Sequence, residues 1–194
     1  KMKTVGLIVA SKSLLPYKNS TNIENYIHIL KKAEVDLIVV VIGSSKEQTE
    51  SMLKSKKMVI VYNPDTAASD LMSYVRAGIK KILHIQNEEQ REEIPYEALF
   101  ILQGDALAIT SSILVKEQLL MKYCDAKILF PIIQGKKKYL PLIRFNILQD
   151  ICDYDGEDGL KGALDQFEEE TVYMKVDDYE ITQDIETPAR YTYK

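Results

Sequence analysis

Two kinds of pattern alternate along the chain. Short stretches that are apolar and rich in β-branched residues are typical of parallel strands covered on both faces. They predict strands at residues 5–10, 35–42, 58–62 and 98–102, and an alternating stretch predicts a last strand at 171–176. Residues 127–133 and 139–145 flank a polar turn and predict a further β-excursion. Between these, helical spacing predicts helices at 22–33, 45–53, 66–76, 111–123, 146–152 and 159–168, the third of them ending near Gly78.

Strands that alternate with helices predict an α/β domain with a mostly parallel sheet. In such sheets, ligands bind beyond the carboxyl ends of the strands. The functional side chains are therefore expected directly after the strands, at Ser11, Lys12 and Ser13, Gly43 and Ser44, Asn63 and Asp65, and Gly104 and Asp105.

Size and charge narrow the function classes. The 194 residues, 46% hydrophobic and 28% charged, fit one globular domain over 1–194. The net charge of −4 and the lack of any basic cluster beyond 136–138 argue against a nucleic-acid partner. The apolar runs are far shorter than the ~20 residues of a bilayer span, and no signal peptide is visible, so no membrane partner is expected. Cys124 and Cys152 predict free thiols in a reducing compartment, the cytoplasm.

The segment after the first strand lacks familiar ligand-binding motifs. Residues 11–16 contain neither the G-x-G-x-x-G of dinucleotide folds nor the G-x-x-x-x-G-K-[ST] of a P-loop. They also lack the adjacent acids of a phospho-receiver domain and the full Ser/Thr/Gly set of an FMN-phosphate loop. Four ligand classes of this architecture are therefore disfavoured.

Two acidic groups are candidates for metal binding. Asp105 follows an apolar strand and Gly104, where its carboxylate can reach a divalent cation held by phosphate oxygens or can cap the next helix. Asp184 and Glu186 occupy alternate positions, so in an extended segment both carboxylates lie on one face. A helix that starts at Thr187, with acids that suit its dipole, explains the same pattern. Spacing alone leaves both interpretations open.

An ordered series of motifs resembles the MobA-like nucleotidyltransferases, which include the enzymes that add CMP or GMP to molybdopterin. The opening GLIVA at 6–10 and KSLLP at 12–16 resemble the family's L-A-A-G-x-S-x-R-M-G-x-x-K-x-L-L-P. The later matches are Asn63 and Ser69 to the N…G-x-x-S segment, Gly104 and Asp105 to G/C-D, 134–141 to G-R-x-G-H-P, 158–161 to G-D-x-G-x-R, and 184–188 to D-I-D-T-P-E-D.

The first loop departs from the family pattern. Its Gly-rich, Arg-containing stretch is missing, so the loop whose backbone amides hold nucleotide phosphates is shortened and degenerate. Leu140 stands where the family has His. Lys161 stands where it has Arg, which keeps the charge but loses the bidentate fork. These departures bear on catalysis rather than on the fold.

The resemblance implies a three-layer αβα Rossmann-like fold of the nucleotide-diphospho-sugar-transferase (GT-A-like) type, with one antiparallel strand in a mostly parallel sheet. It implies Mg²⁺-dependent transfer of an NMP from CTP or GTP to an anionic phosphorylated acceptor such as molybdopterin, with release of pyrophosphate. It makes Lys12 and Asp105 catalytic, and Asp105, Asp184 and Glu186 metal ligands. The implied nucleotide contacts are Ala10, Ser11, Lys12, Asn63, Ser69 and Gly104.

Two other functions stay open. A catalytically degenerate nucleotide- or cofactor-binding protein explains the short first loop, whereas the retained Lys12, Asp105 and paired tail acids favour an active enzyme. A sugar-phosphate nucleotidyltransferase or glycosyltransferase shares the architecture, and the short chain argues against it. The lysines at 136–138 are expected at a solvated hairpin tip, with contact to an anionic acceptor as the alternative.

Overall fold

The computed structural model describes residues 1–10, 17–43, 58–63, 70–89, 94–104 and 109–182, with the side chains of all but 17–22, 89, 180 and 182. The strands in these ranges are Thr4–Ala10 (β1), Leu37–Ile42 (β2), Val59–Tyr62 (β3), Ala98–Gln103 (β4), Ile128–Ile133 (β5), Lys136–Lys137 (β6), Leu142–Arg144 (β7) and Thr171–Val176 (β8). The α-helices are Tyr17–Lys32 (α1), Leu71–His84 (α2), Ser111–Lys122 (α3), Leu148–Asp153 (α4), Gly159–Asp165 (α5) and Asp178–Thr182 (α6).

The strands form one sheet in the order β3-β2-β1-β4-β7-β5, and β5 carries β6 and β8. β1, β2, β3 and β4 pair in parallel, and β8 pairs in parallel with β5 along its whole length. β7 lies antiparallel between β4 and β5, so those two strands run in the same direction. The mostly parallel sheet with an antiparallel strand inside it is thus confirmed, and the two-residue β6 adds a second antiparallel strand beside β5.

Apolar clusters cover both faces of the sheet. On one face, α1 and α3 pack against strand residues such as Ile8 and Phe100. On the other, α2, α4 and α5 pack against residues such as Leu7 and Ile101. Because neighbouring strand residues point to opposite faces, the continuous apolar runs of β1 and β4 are buried on both sides. The result is the three-layer αβα arrangement.

The β-excursion predicted at 127–145 is present, as the β5–β6 hairpin followed by β7. The return strand β6 lies within the predicted turn, and β7 covers only Leu142–Arg144 of the strand predicted at 139–145. Gln134 and Gly135 both have positive φ, 51° and 75°, which is the backbone of a type I′ two-residue hairpin turn. Arg144 then ties β7 to the end of α3, since its guanidinium donates to the backbone oxygens of Met121, Cys124 and Ala126.

The third predicted helix ends in the wrong place. α2 continues to His84, and Gly78 lies buried in its middle. A Cβ built on Gly78 would lie 2.5 Å from Leu7 Cδ1 and 3.0 Å from Val41 Cγ2. The glycine therefore lets the helix approach β1 and β2 closely, which explains why it does not end the helix. The helix predicted at 45–53 lies outside the described residues.

Among the helices of the described ranges, none has the length and apolar character to cross a bilayer.

Candidate functional site

The strand register brings the predicted site to one edge of the sheet. Ala10 pairs with Ile42, and Ile42 pairs with Tyr62, so β1, β2 and β3 end at the same level. Val9 pairs with Gln103, which places Gly104 beside Ala10. Three of the predicted nucleotide contacts, Ala10, Asn63 and Gly104, therefore lie at this carboxyl edge. Their grouping follows from parallel pairing alone.

Gly104 provides an open strand end. Its φ of +64° is a left-handed conformation that suits glycine, and a Cβ built there would meet no atom of the described residues within 4 Å. The described part of the chain thus leaves space beside the backbone at the end of β4. A ligand can therefore approach the chain just before Asp105.

Tyr26 fixes that strand end from the helical layer. Its hydroxyl donates to the backbone oxygens of Gln103, at 3.0 Å, and Gly104, at 2.7 Å. The side chain is only 1% exposed, so these bonds are shielded from water. The helix predicted at 22–33 includes Tyr26, but the sequence did not predict this role for it. A tyrosine at a core position is the only sequence signal for it.

Asn63 connects the end of β3 to the start of α2. Its backbone N–H donates to the oxygen of Ile42 at 2.9 Å, and its buried side-chain amide donates to the Ser73 hydroxyl at 3.0 Å. Asp70 caps α2 by accepting from the Ser73 N–H at 3.1 Å. The first turn of α2 is thus held against the carboxyl edge.

Tyr74 is a second residue that sequence reasoning missed. A Cβ built on Gly43 would lie 2.1 Å from the Tyr74 hydroxyl, so the tyrosine occupies the space that a side chain would fill after β2. Burial raises the pKa of Tyr74, so its phenol stays neutral and can donate a hydrogen bond at physiological pH.

The remaining predicted site residues lie outside the described ranges. They are Ser11, Lys12, Ser69, Asp105, Asp184 and Glu186. Within residues that are described, no three or more His, Cys, Asp and Glu side chains come together as a metal site. The metal site formed by these carboxylates therefore stays a prediction.

Two family positions with altered residues are described. Leu140, in place of the family's His, is 1% exposed and belongs to the apolar core. Lys161, in place of Arg, lies on exposed α5 with its Nζ 2.7 Å from Asp165 Oδ2. The core thus encloses the Leu140 side chain, and the Lys161 ammonium is paired with a neighbouring carboxylate of its own helix.

The model of one protein family matches most of the chain. The MobA-like NTP transferase domain aligns with residues 5–172. This chain belongs to the MobA-like NTP transferase family. Membership supports nucleotidyl transfer as its chemistry and agrees with the motifs that suggested the family. No curated protein matches the sequence at a significant level.

Several solved structures share the fold at low sequence identity. Rv0371c from Mycobacterium tuberculosis H37Rv, in complex with manganese, is 13% identical over 91% of this chain and 89% of that one, with a TM-score of 0.69. A nucleotidyl transferase from Methanothermobacter thermautotroptrophicus is 15% identical over 98% and 94%, with a TM-score of 0.64. 4-Diphosphocytidyl-2C-methyl-D-erythritol synthase from Anaerococcus prevotii DSM 20548 is 11% identical over 99% of this chain and 94% of that one, with a TM-score of 0.60. The αβα domain of this family member therefore has the GT-A-like nucleotidyltransferase architecture.

Proposed function

We propose that the MobA-like domain of this chain transfers an NMP from CTP or GTP to an anionic phosphorylated acceptor such as molybdopterin. The observation that carries the proposal is the family match over 5–172, which spans Lys12, Asp105 and the strand ends that the register aligns. The proposal covers one nucleotidyltransferase-like domain over 1–194 that acts in the cytoplasm. The two free cysteines suit that compartment.

The reaction is an in-line displacement at phosphorus. A phosphate oxygen of the acceptor forms a bond to the α-phosphorus, the bond from that phosphorus to the bridging oxygen breaks, and its electron pair leaves with pyrophosphate. Such catalysis depends on positioning and electrostatics. In this proposal, Lys12 offsets the charge that develops on the α-phosphate. Ala10, Ser11, Asn63, Ser69 and Gly104 line the nucleotide's path.

A divalent cation fits the donor set that the proposal assigns. Asp105, with Asp184 or Glu186, supplies the carboxylate oxygens that Mg²⁺ prefers. When bound there, the cation neutralises charge on the triphosphate. The open space beside Gly104 is compatible with this placement, and the manganese complex of Rv0371c supports a divalent metal.

One observation favours the second candidate, a catalytically degenerate binding protein. β1 ends at Ala10 and α1 begins at Tyr17, so only six residues, 11–16, connect them. This leaves few backbone amides for the triphosphate. The two candidates differ in turnover, not in nucleotide binding.

The test is to melt the protein with each NTP, with and without Mg²⁺ or Mn²⁺. A ligand at 100 times its Kd stabilises by about 2.7 kcal/mol, which is roughly 5–10 °C in Tm for a domain of this size. We expect a metal-dependent shift that Asp105→Ala abolishes. Asp125→Ala, which removes an exposed acid at the opposite end of the sheet, should keep the shift.

Pyrophosphate release separates the two candidates. Release that requires both an NTP and a phosphorylated acceptor supports the transferase. A metal-dependent shift without release for any acceptor tested supports the binding protein. No shift with any NTP contradicts both.

A further inference from the structure

A cavity of ≈ 400 Å³ opens where β5 and β8 end, beside the Gln134–Gly135 turn. Its walls include an aromatic ring, a lysine, two aspartates and an amide, and six of the lining residues are Ile132, Gln134, Tyr173, Lys175, Asp177 and Asp178. The cavity lies on the carboxyl side of the sheet, yet none of its residues belongs to the predicted nucleotide site. It is therefore a separate recess at the same edge.

Strand pairing places one lysine on each side of a single apolar residue. Ile132 pairs with Lys137 of β6 and with Lys175 of β8. Paired residues of neighbouring strands point to the same face, so both lysine side chains flank Ile132 there. Their Cα atoms are separated by two strand spacings, about 10 Å. Two long ammonium side chains at this separation can converge on one anion.

Lys137 is held in place by three aromatic rings. Its Nζ lies 4.1 Å from the ring centroid of Phe130, 5.5 Å from that of Tyr173 and 5.8 Å from that of Tyr139. The π faces of such rings attract an ammonium group through cation–π interaction. The charge is therefore fixed near Tyr173, where a solvated hairpin tip would leave it free to move. Lys136, the preceding residue of β6, points to the opposite face.

Tyr173 offers the cavity an ordered ring. Its hydroxyl donates to Glu168 Oε1 at 2.7 Å, and its ring lies nearly parallel to Phe130, at 17° and 6.2 Å between centroids. The residue is still 41% exposed. A flat or apolar group of a ligand can therefore lie against a ring that is already oriented.

We infer that this cavity binds the acceptor of the proposed transferase, an inference that rests on the proposed function. The anionic group of a small phosphomonoester binds Lys175, which lines the cavity, and Lys137, which lies outside the lining with its Nζ 5.5 Å from the ring centroid of Tyr173. The adjoining ring or apolar group lies on Tyr173. Hydrogen-bond donors of the same molecule face Gln134 and Asp177. β5 lies two strand spacings from β4, about 10 Å, which one small phosphorylated molecule can span. The acceptor can therefore reach from this cavity to a nucleotide bound beyond β4.

The experiment uses phenyl phosphate as the probe, with inorganic phosphate and phenol as comparisons, and follows the backbone amides of Tyr173 and Lys175 by NMR titration. We expect phenyl phosphate to bind more tightly than either comparison, because it uses both the lysines and the ring. Lys137→Gln and Lys175→Gln should each weaken binding about tenfold, since each removes one charge-assisted contact.

Matched variants separate a site from general charge. Lys136→Gln removes the same charge from the other face of β6 and should change the affinity less than twofold. Lys137→Arg keeps the cation over the rings and should retain binding, which also controls for damage to the hairpin. Asp178→Asn removes a negative charge from the cavity wall and should tighten phosphate binding.

The inference is overturned if phenyl phosphate shows no saturable binding, if it binds no more tightly than phosphate, or if Lys136→Gln weakens it as much as Lys137→Gln. The proposed function is judged separately by the metal-dependent melting of the wild-type chain with NTPs. If phenyl phosphate binds at the lysines but no NTP stabilises the chain, the anion site is supported and the transferase function is contradicted. The reverse result would keep the transferase and remove the site.

Discussion

Glu117 is a carboxylic acid enclosed by the apolar layer between α3 and the sheet. The residue is fully buried, and neither carboxyl oxygen has a hydrogen-bond partner among the described residues. Burial raises the pKa of Glu117 well above its ordinary value, because the charged form would lose its hydration without compensation. The side chain is thus neutral in the folded protein at a pH where it is ionised in the unfolded chain.

This difference predicts a pH-dependent cost to stability. Above pH 4.5, the ordinary value of a glutamate, the folded state retains a proton that the unfolded state loses, so this group lowers the free energy of unfolding as pH rises. Glu117→Met should raise that free energy, and its advantage should widen with pH by up to about 1.4 kcal/mol per unit. Denaturant titrations from pH 5 to 8 measure it. Glu169→Met, at an exposed position, should give a constant difference, and a constant difference for Glu117→Met contradicts the prediction.

Tyr26→Phe tests the support of the Gly104 strand end. The phenylalanine ring keeps the core filled but removes the hydrogen bonds to Gln103 and Gly104, which should cost about 1 kcal/mol. If the proposed function holds, the metal-dependent Tm shift with NTP should also shrink, because Gly104 precedes Asp105.

Tyr139→Phe is the matched control for that variant. It removes a buried hydroxyl that has no hydrogen-bond partner in the described part of the chain, so it should not lower stability and should leave the NTP shift unchanged. Indistinguishable melting of the two variants would show that Tyr26 does not hold the strand end.

At the scale of elements, α2 shows packing that overrides a local sequence signal, because Gly78 lies buried inside the helix instead of ending it. We expect Gly78→Val to cost about 1–3 kcal/mol, because a side chain there would press Leu7 and Val41 in a filled core. Lys80→Val, on an exposed turn of the same helix, should cost only the helix propensity difference, under about 1 kcal/mol. Thermal unfolding compares the two. Equal Tm values would mean that the close approach of α2 to β1 and β2 is not needed.

The elements also show what the sequence could and could not predict. Buried strands such as β1 and β4 were predicted within one or two residues, because their apolar runs report burial on both faces. The end of α2 was missed because Gly78 serves a contact with β1, more than 70 positions away in sequence. Local patterns carry no signal for such a contact.

Some residues of the candidate site could be predicted from the sequence, whereas others could not. Asn63 and Gly104 were predicted to meet, because parallel strands end at one edge and the residues after them can be read from the sequence. Ala10 was predicted only through the family resemblance. Tyr26 and Tyr74 were missed, because they reach that edge from helices, where a buried tyrosine looks like any core residue. Paired strand faces, such as the one shared by Lys137 and Lys175, depend on register, which the pattern alone does not fix.

At the scale of the whole molecule, stability should be greatest at the centre of the sheet. β1 pairs on both sides, with β2 and β4, and all its residues are buried. Among the described strands, β3 pairs with β2 alone, and it ends at the exposed Tyr62. We expect the slowest amide hydrogen exchange in β1, β2 and β4, and faster exchange in β3 and β6. Exchange followed by mass spectrometry or NMR measures this. Protection of β3 equal to that of β1 would contradict it.

β7 has only three residues, yet within the described part of the chain it is the strand through which β4 and β5 are joined. β7 pairs with β4 at three positions and with β5 at two. One block of the sheet, β1 to β4, therefore joins the other, β5 with β6 and β8, along a short line of backbone hydrogen bonds. A chimera that takes residues from β5 onward out of a relative would leave the pairing of the first block intact. If the proposed function holds, such an exchange would replace the proposed acceptor cavity together with the tail acids Asp184 and Glu186, while the strand ends at Ala10, Asn63 and Gly104 are inherited unchanged.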